Sequence, residues 1–538
     1  MTEGLGRNVG DEPEPPDGPV LRRGELQDRA MRGVTWTMVH TVVSLPIAFL
    51  VNLVVARVLG VVDYGRLAFL TVVLDIAAGV VLLGVNPALV QFGSKAHALG
   101  RRHDVTDLLS KVQGFRLFFT APLLAVVVVV LVSDVGIWFK VIAVVFGVLL
   151  PAALDGAPAC LGIENKTAAG AKVALVSNVI VQGLVLAAVL TIAQADVVWA
   201  VRLIAVGATT ALALIPISRA YRRAVLRPAF PRGFPPGFWK FAIPTGLAYL
   251  LSSLVVSRTE VVALTWLSDP ASVGLFALAF GLAGHMYAPA QALIGPLVPA
   301  ISGLREVDTS AVTEAFRRTL RGSSTAVSML SGIALPVIAV LATTFYGSTY
   351  AGVEPVLLAL GIANGFFVVG GPVSAFVMAR LSASRVLIAS VVALAVDVAL
   401  ALSLIPLWGV WGAVVANVAA AGTQMMVLLV SELRALHLSW SVVSRDALPA
   451  LVGALSAVLA WYLSSRASSV ALAAVVAAVV GLVSVGGGLW ALRSGLTADD
   501  GRAVLRVLPA RVQALAGPLL RCVQWRRTSE ATGPEPTR

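Results

Sequence analysis

Two charged residues interrupt one of the most apolar stretches of the chain. The segment VVSRTEVV, residues 255–262, places Arg258 and Glu260 inside the longer run FAIPTGLAYLLSSLVVSRTEVVALTWL. Charges inside membrane helices are expensive and usually mark a substrate pathway, an ion site or a proton relay. Residues two apart on a helix point about 200° away from each other, so the arginine and the glutamate each need their own partner or water.

Two further carboxyl groups fall near the middle of apolar helices by residue count. They are Asp75 and Asp397, and both are candidates for ion coupling, in which a buried acid binds a proton or sodium. The alternative interpretation is a structural carboxyl that is protonated or hydrogen-bonded. The sequence leaves both interpretations open.

Three arginines are predicted to reach a similar depth in the membrane: Arg57, Arg202 and Arg258. Arg258 lies about 27 Å along its helix from Lys240, at roughly 1.5 Å per residue. If the three face a cleft, they form a cationic patch, with Glu260 tempering its affinity for an anion; otherwise each arginine snorkels to the outer headgroups. Polar side chains in these helices either line a cavity and bond a polar substrate or bond neighbouring helices. The predicted cavity residues of this kind are Asn52, Asn364 and Asn417.

The composition places these residues in a membrane protein. Of 538 residues, 58% are hydrophobic and 13% are charged, whereas soluble domains carry about a quarter charged residues. The apolar runs are continuous, which favours helices over the alternating strands of a membrane barrel. The predicted class is an all-α polytopic membrane protein. About fourteen helices are expected, at 35–58, 66–92, 116–133, 137–159, 172–193, 197–218, 241–266, 273–301, 323–345, 354–379, 386–406, 409–432, 447–465 and 469–492.

The connecting loops alternate in charge. One set is rich in arginine and gives the chain its net charge of +12, while the other set is short and almost free of Lys and Arg. Because basic loops stay inside, both termini are predicted to be cytoplasmic. The Arg-over-Lys and Ala-plus-Val bias is typical of a GC-rich bacterial genome, so we expect the bacterial cytoplasmic membrane.

Loop composition also predicts the domain organisation. The Pro/Gly-rich segment RRAVLRPAFPRGFPPGFWK follows the sixth helix and reads as a hinge, and the segments LGVVDYGRLAF and LSDPASVGLFAL occupy corresponding places on either side of it. Internal symmetry of this kind is typical of transporters. The predicted parts are a disordered cytoplasmic tail (1–30), an N-terminal six-helix bundle (31–219), a cytoplasmic hinge loop (220–240), a C-terminal six-helix bundle (241–435), helices thirteen and fourteen (436–493) and a basic amphipathic cytoplasmic tail (494–538).

Signatures of catalysis and of cofactor binding are not found in the sequence. No GxxxxGK[ST] phosphate loop, HExxH motif or Cys/His cluster is present, and the two cysteines give no disulfide framework. The predicted external loops are too short to house a glycan-processing site. We therefore predict a protein that is not an enzyme, needs no cofactor or metal, and does not bind nucleic acid.

Residues 56–96, ARVLGVVDYGRLAFLTVVLDIAAGVVLLGVNPALVQFGSKA, resemble the opening helices of the polysaccharide and O-antigen flippases of the multidrug/oligosaccharidyl-lipid/polysaccharide exporter superfamily. The matching positions include Arg57, Gly60, Tyr64 and Gly65. The seventh-to-eighth and eleventh-to-twelfth helix junctions also resemble that family, although many members carry Asp where this chain has Glu260.

The resemblance implies two pseudo-symmetric six-helix bundles around a central cavity, followed by two added helices. It implies alternating access and the movement of a polyprenyl-diphosphate-linked oligosaccharide to the outer leaflet. The implied partners are this glycan substrate, membrane lipids, and a polysaccharide polymerase with other assembly proteins. Two alternatives stay open: an ion-coupled antiporter of drugs or small solutes, and a non-transporting scaffold of an envelope assembly complex.

Overall fold

A computed structural model describes residues 23–82, 84–254, 259–291, 301, 309–380, 383–497 and 524–525. In this part of the chain the secondary structure is helical except for one parallel ladder of two short strands, β1 (Leu496–Thr497) and β2 (Gln524–Trp525). Short π-helical turns lie at Arg116–Thr120, Ala143–Leu149 and Leu330–Ala334, and 3-10 turns lie at Ala211–Leu214 and Ser348–Tyr350. The helices are α1 (Arg23–Leu82), α2 (Val85–Ala98), α3 (Arg102–Phe115), α4 (Ala121–Leu131), α5 (Ile137–Ile142), α6 (Leu150–Leu154), α7 (Gly156–Ile163), α8 (Thr167–Thr191), α9 (Ala195–Thr210), α10 (Arg219–Leu226), α11 (Phe238–Ser253), α12 (Thr259–Leu267), α13 (Pro270–Gln291), α14 (Thr309–Met329), α15 (Leu335–Tyr346), α16 (Val353–Ala379), α17 (Ala383–Trp408), α18 (Val410–Leu436), α19 (Trp440–Ser464) and α20 (Val470–Ala491).

Twelve helical runs among the described residues are long and apolar enough to cross a membrane. The first, Trp36–Val81, spans 46 residues and holds two predicted helices, because α1 is broken at Gly60, where φ is 74°. The predicted seventh helix is divided between α11 and α12 by residues outside the described ranges. With these two differences the spans match the predicted helices one to one. The all-α polytopic membrane class is confirmed.

Several predicted boundaries are wrong near the basic loops. The third helical run begins at Arg102 rather than at 116, because α3 buries Val105, Leu108 and Leu109 on one face while exposing its charges. A hydropathy average misses such an amphipathic helix. The predicted second helix, 66–92, is interrupted at Gly84, where φ is 73°.

The predicted disordered tail, residues 1–30, is partly helical, since α1 already begins at Arg23. The sequence RGELQDRAM consists largely of strong helix formers, which explains the early start. Residues 1–22 lie outside the described ranges, as does nearly all of the predicted amphipathic tail after Thr497.

The chain separates into two compact units that do not follow chain order. Unit 1 comprises residues 1–44, 81–181 and 202–246, and unit 2 comprises residues 45–80, 182–201 and 247–538. The predicted division at a hinge between two six-helix bundles therefore stays a prediction. Residues 220–240 themselves fall within unit 1.

Within unit 2, the segment LGVVDYG of α1 and the segment SDPASVG at the start of α13 pack backbone to backbone. A Cβ atom on Gly65 would lie 2.8 Å from the backbone nitrogen of Gly274, and one on Gly274 would lie 1.9 Å from the carbonyl oxygen of Val61. Arg66 of the same turn pairs with Asp196 at 2.6 Å. Small residues therefore let the LGVVDYG and SDPASVG turns approach more closely than any side chain would allow.

Helices α19 and α20 also pack within unit 2 through small residues. A Cβ on Gly453 of α19 would lie 2.4 Å from the Cα of Ser328, and a Cβ on Gly481 of α20 would lie 2.1 Å from the Gly332 carbonyl oxygen. At one end of α19, Asp446 accepts hydrogen bonds from Arg317 at 2.9 Å and from Arg321 at 3.3 Å. Helices α19 and α20 therefore pack against α14 and against the π-helical turn that follows it.

Candidate functional site

Three polar residues predicted from separate helices meet in the interior of unit 2. The side chain of Glu260 in α12 is fully buried, and its Oε1 accepts a hydrogen bond of 2.6 Å from Asn417 Nδ2 in α18. Asp397 of α17, also fully buried, lies close enough to Glu260 and Thr259 for its carboxyl to interact with both. We call Glu260, Asp397 and Asn417 the carboxyl site.

The local sequence explains how these side chains are positioned. Helix α12 starts at Thr259, whose hydroxyl donates to the carbonyl of Leu254 at 3.2 Å, so Glu260 occupies the first turn. Asp397 and Asn417 lie on two long helices joined by the tight turn at Gly409, where φ is 54°. Counted from this turn at roughly 1.5 Å per residue, Asn417 lies about 10 Å and Asp397 about 17 Å along their helices, well inside the apolar spans.

The carboxyl site has more acceptors than donors. Among the described residues, Glu260 Oε2 and both oxygens of Asp397 have no hydrogen-bond partner of normal geometry. Two adjacent carboxylates cannot both stay ionised in a dry interior without a compensating cation, because each buried charge costs several kcal/mol. The arrangement can therefore hold a proton between the carboxyls, or bind a small hard cation through carboxylate and amide oxygens.

Two other predicted cavity residues are engaged by neighbours within unit 2. Arg57 is exposed, and its Nη1 donates to the carbonyl oxygen of Phe345 at 3.1 Å. Asn52 accepts a hydrogen bond of 3.0 Å from the hydroxyl of Tyr64. Asn52 thus makes a side-chain hydrogen bond across the break of α1 at Gly60. The Asn417 bond joins α18 to α12 and is the interhelical alternative that the sequence left open.

The remaining predicted site residues are not brought to the carboxyl site by any described contact. Arg202 is exposed on α9 in unit 1, Asn364 is buried in α16, and Asp75 is exposed on the second half of α1. Arg258 lies outside the described residues. The cationic patch of Arg57, Arg202 and Arg258 and the coupling role of Asp75 therefore stay predictions.

A buried polar cluster in unit 1 was not predicted. Arg116 is fully buried, its Nη1 donates to Gln113 at 2.6 Å, and its Nη2 lies 3.7 Å from Asp155, which accepts a hydrogen bond of 2.7 Å from Asn86. Gln113 in turn donates to the carbonyls of Ala152 and Ala153, which helix α6 leaves free at its end. Hydropathy placed Arg116 at the first residue of a predicted helix, 116–133, next to a basic loop. The spacing of Gln113 and Arg116, three apart on one helical face, is the signal that would have found this cluster.

Comparisons with known proteins agree with this architecture. Residues 30–305 match a family described as "Polysaccharide biosynthesis protein". No curated protein matches the chain.

Solved structures with the same fold are similar over most of their length. A structure of the lipid II flippase MurJ in an inward closed conformation has a TM-score of 0.59 at 14% identity, covering 84% of this chain and 98% of that one. A mutant of the Vibrio cholerae MATE transporter VcmN has a TM-score of 0.51 at 16% identity, covering 77% and 99%. A eukaryotic MATE transporter has a TM-score of 0.51 at 13% identity, covering 79% and 99%. At these identities the similarity establishes the fold.

Proposed function

We propose, from the premise that the chain belongs to the polysaccharide biosynthesis protein family, that it flips a polyprenyl-diphosphate-linked oligosaccharide across the bacterial cytoplasmic membrane. The flipped glycan would serve surface polysaccharide assembly. A diphosphate and a glycan cannot cross hydrocarbon unaided, because burying such polar groups costs many kcal/mol. The multi-pass helical fold, shared with a lipid II flippase, supports this function.

The proposed mechanism rests on the carboxyl site. We infer that it couples transport to an ion, because its buried and unpartnered oxygens need a proton or a cation for charge balance. Three helices contribute to it, α12, α17 and α18, so occupancy would change how these helices pack. An ion bound there can favour one conformation by as much as its affinity differs between the two conformations.

The arginines supply the proposed contact with cargo. Arg57, Arg202 and Arg258 would offer a cationic surface for the diphosphate, and guanidinium groups suit phosphate because they donate bidentate hydrogen bonds. The topology that we propose places both termini in the cytoplasm.

A second candidate function is supported by the same buried carboxyls. An ion-coupled antiporter of cationic drugs or small solutes would use Glu260 and Asp397 as its ion or substrate site. The match to a polysaccharide biosynthesis family over residues 30–305 favours the flippase.

Deletion and complementation of the gene test the proposed function. We expect the deletion strain to lose surface polysaccharide and to accumulate lipid-linked oligosaccharide on the inner leaflet. Wild-type protein should restore export, and the Glu260→Gln/Asp397→Asn double variant, produced at an equal level, should not. Normal surface polysaccharide in the deletion strain, together with new sensitivity to cationic drugs, would favour the antiporter.

A further inference from the structure

The segment made of α10, the link that follows it and the first turn of α11 is exceptionally basic. Residues 219–240 contain six Arg or Lys residues and no Asp or Glu. Five of the six have exposed side chains, and no described ion pair involves any of the six. The exposed members are Arg219, Arg223, Arg227, Arg232 and Lys240.

Hydrogen bonds hold this basic segment against α3 within unit 1. The backbone nitrogen of Ala229 donates to the Ser110 carbonyl at 2.9 Å, and the Ser110 hydroxyl donates to the Ala224 carbonyl at 3.2 Å. Beneath it, a Cβ atom on Gly114 would lie 1.7 Å from the carbonyl oxygen of Ala229, so only glycine fits there. The segment is therefore a fixed part of the surface of unit 1.

Helix α10 is amphipathic: one face packs against the protein and the other carries arginines. Tyr221, Ala224 and Val225 are buried against the protein, and the arginines face away from it. The Tyr221 hydroxyl shares a hydrogen bond of 2.7 Å with His97, and burial raises the pKa of Tyr221 to about 12, so the hydroxyl keeps its proton at neutral pH. The inner face of α10 is thus used in packing, while Arg219 and Arg223 are exposed on its outer face.

Exposed aromatic rings lie beside these cations. Phe230 is 58% exposed and lies 6.3 Å from Phe118 and 5.9 Å from Phe119, between ring centroids; those two are themselves 51% and 49% exposed. Phe118 and Phe119 belong to the membrane span Arg102–Leu131. If the hydrocarbon begins after Arg116, the last charged residue of this span, the rings would lie at its edge and the neighbouring arginines would lie at the level of the headgroups.

We propose that residues 219–240, together with Phe118 and Phe119, form a binding surface for anionic phospholipid headgroups of the inner leaflet. The cations would attract the phosphates, at about 1 kcal/mol for each Lys or Arg near an anionic surface, and the rings would insert at the interface. The inference goes beyond the proposed transport function, and it relies on the predicted cytoplasmic position of this loop. It does not depend on what the protein transports.

Lipid retention and thermal unfolding test the surface. The purified full-length protein, in a neutral detergent, is titrated with phosphatidylglycerol or with phosphatidylcholine, and bound lipids are counted by native mass spectrometry. We expect phosphatidylglycerol to bind and to raise the unfolding temperature, and phosphatidylcholine to do neither. The triple variant Arg223→Gln/Arg227→Gln/Arg232→Gln should lose about tenfold or more in affinity for phosphatidylglycerol.

Matched control variants distinguish lipid binding at this surface from a general effect of the protein's positive charge. Arg385→Gln/Arg434→Gln/Arg445→Gln removes the same number of exposed arginines from unit 2 and should bind phosphatidylglycerol like the wild type. The variant Arg223→Lys/Arg227→Lys/Arg232→Lys keeps the charge and should retain most of the affinity, which also shows that changes at these positions are tolerated. Equal losses in both glutamine triple variants would overturn the proposal. Equal stabilisation of the wild type by inorganic phosphate would overturn it too, because the surface would then bind phosphate rather than a lipid.

Discussion

At the scale of single residues, the informative side chains are those whose bonding capacity the protein leaves unfilled. One oxygen of Glu260 accepts a hydrogen bond from Asn417, while its other oxygen and both Asp397 oxygens have no hydrogen-bond partner of normal geometry among the described residues. Buried polar groups of natural proteins are nearly always satisfied, so such exceptions indicate a missing occupant. We propose that a proton or a small cation is this occupant.

Neutralising the carboxyl site should remove its response to ions. We expect sodium or a fall in pH to raise the unfolding temperature of the wild type, since either would compensate the buried charge. Glu260→Gln and Asp397→Asn should each abolish most of this shift while the protein stays folded, because an amide needs no counter-ion. Thermal unfolding at constant ionic strength, with choline replacing sodium and pH varied separately, measures the effect.

The control for this experiment is Glu314→Gln, which removes an exposed glutamate of α14 and should leave the ion response unchanged. A wild-type protein indifferent to both sodium and pH would contradict the coupling role.

A second residue-scale prediction concerns Asp269, which caps helix α13. Its carboxylate accepts hydrogen bonds from the Ser272 hydroxyl at 2.6 Å and from the Ser272 backbone nitrogen at 2.9 Å, and these bonds hold the pKa of Asp269 below its usual value. A lowered pKa means that this stabilisation is complete above the unfolded-state pKa, about 3.9, and is lost as pH falls through the lower folded value. Asp269→Ala should therefore cost about 1 kcal/mol at pH 7 and progressively less in acid.

Unfolding of the wild type and Asp269→Ala, compared from pH 7 down to pH 3, checks this prediction. A difference that grows on acidification would show that the cap is not the ionised carboxylate.

The three residues of the carboxyl site could be recognised as candidates from the sequence, but their proximity could not be predicted. Glu260, Asp397 and Asn417 stand out because each is polar within an apolar run, but their meeting depends on how α12, α17 and α18 pack, which no spacing along the chain encodes. Arg116 was missed for a different reason: it borders a basic loop, so hydropathy could not distinguish a fully buried arginine from a solvated one.

At the scale of elements, glycines determine which helices can pack closely against each other. Gly65 of α1 and Gly274 of α13 lie in segments that we interpret as corresponding places in two related halves, and these segments contact each other directly. We expect alternating access to require that this contact forms in one state and separates in the other. The sequence predicts the correspondence of these segments, and the structure shows their contact.

Substitution at this contact should open it. In Gly274→Ala the new Cβ atom would meet the Val61 carbonyl oxygen, so the two turns must move apart, at a cost of about 1–3 kcal/mol. We expect a lower unfolding temperature, and faster labelling by a soluble thiol reagent of a cysteine introduced at Val62. Gly281→Ala is the control, since it lies in the same helix and an added Cβ meets nothing within 4 Å. Unchanged labelling in Gly274→Ala would mean that the contact does not gate access.

At the scale of the whole molecule, helix number and class followed from hydropathy, because a bilayer imposes one length on every span. The division into compact units could not be predicted, since residues 45–80 and 182–201 group with the second part of the chain through contacts between distant segments. The basic loop that looked like a hinge in sequence proved to be packed onto α3.

Topology is the first whole-molecule prediction. Because Lys and Arg are concentrated in alternate loops, we expect a phosphatase reporter fused after Arg493 to be inactive and a cytoplasmic fluorescent reporter at the same position to be bright. Phosphatase activity there would place the C-terminus outside the cell and reverse the predicted orientation.

The most direct measurement is transport in vesicles that contain only this protein. A fluorescent polyprenyl-diphosphate-linked oligosaccharide is placed in the liposome membrane, and the fraction reached by an external glycan-cleaving enzyme is followed over time. We predict that wild-type protein makes the inner-leaflet cargo accessible, that a sodium or proton gradient changes the rate, and that Glu260→Gln/Asp397→Asn removes the gradient's effect. Vesicles that carry folded wild-type protein yet never expose the inner-leaflet cargo, with or without a gradient, would contradict it.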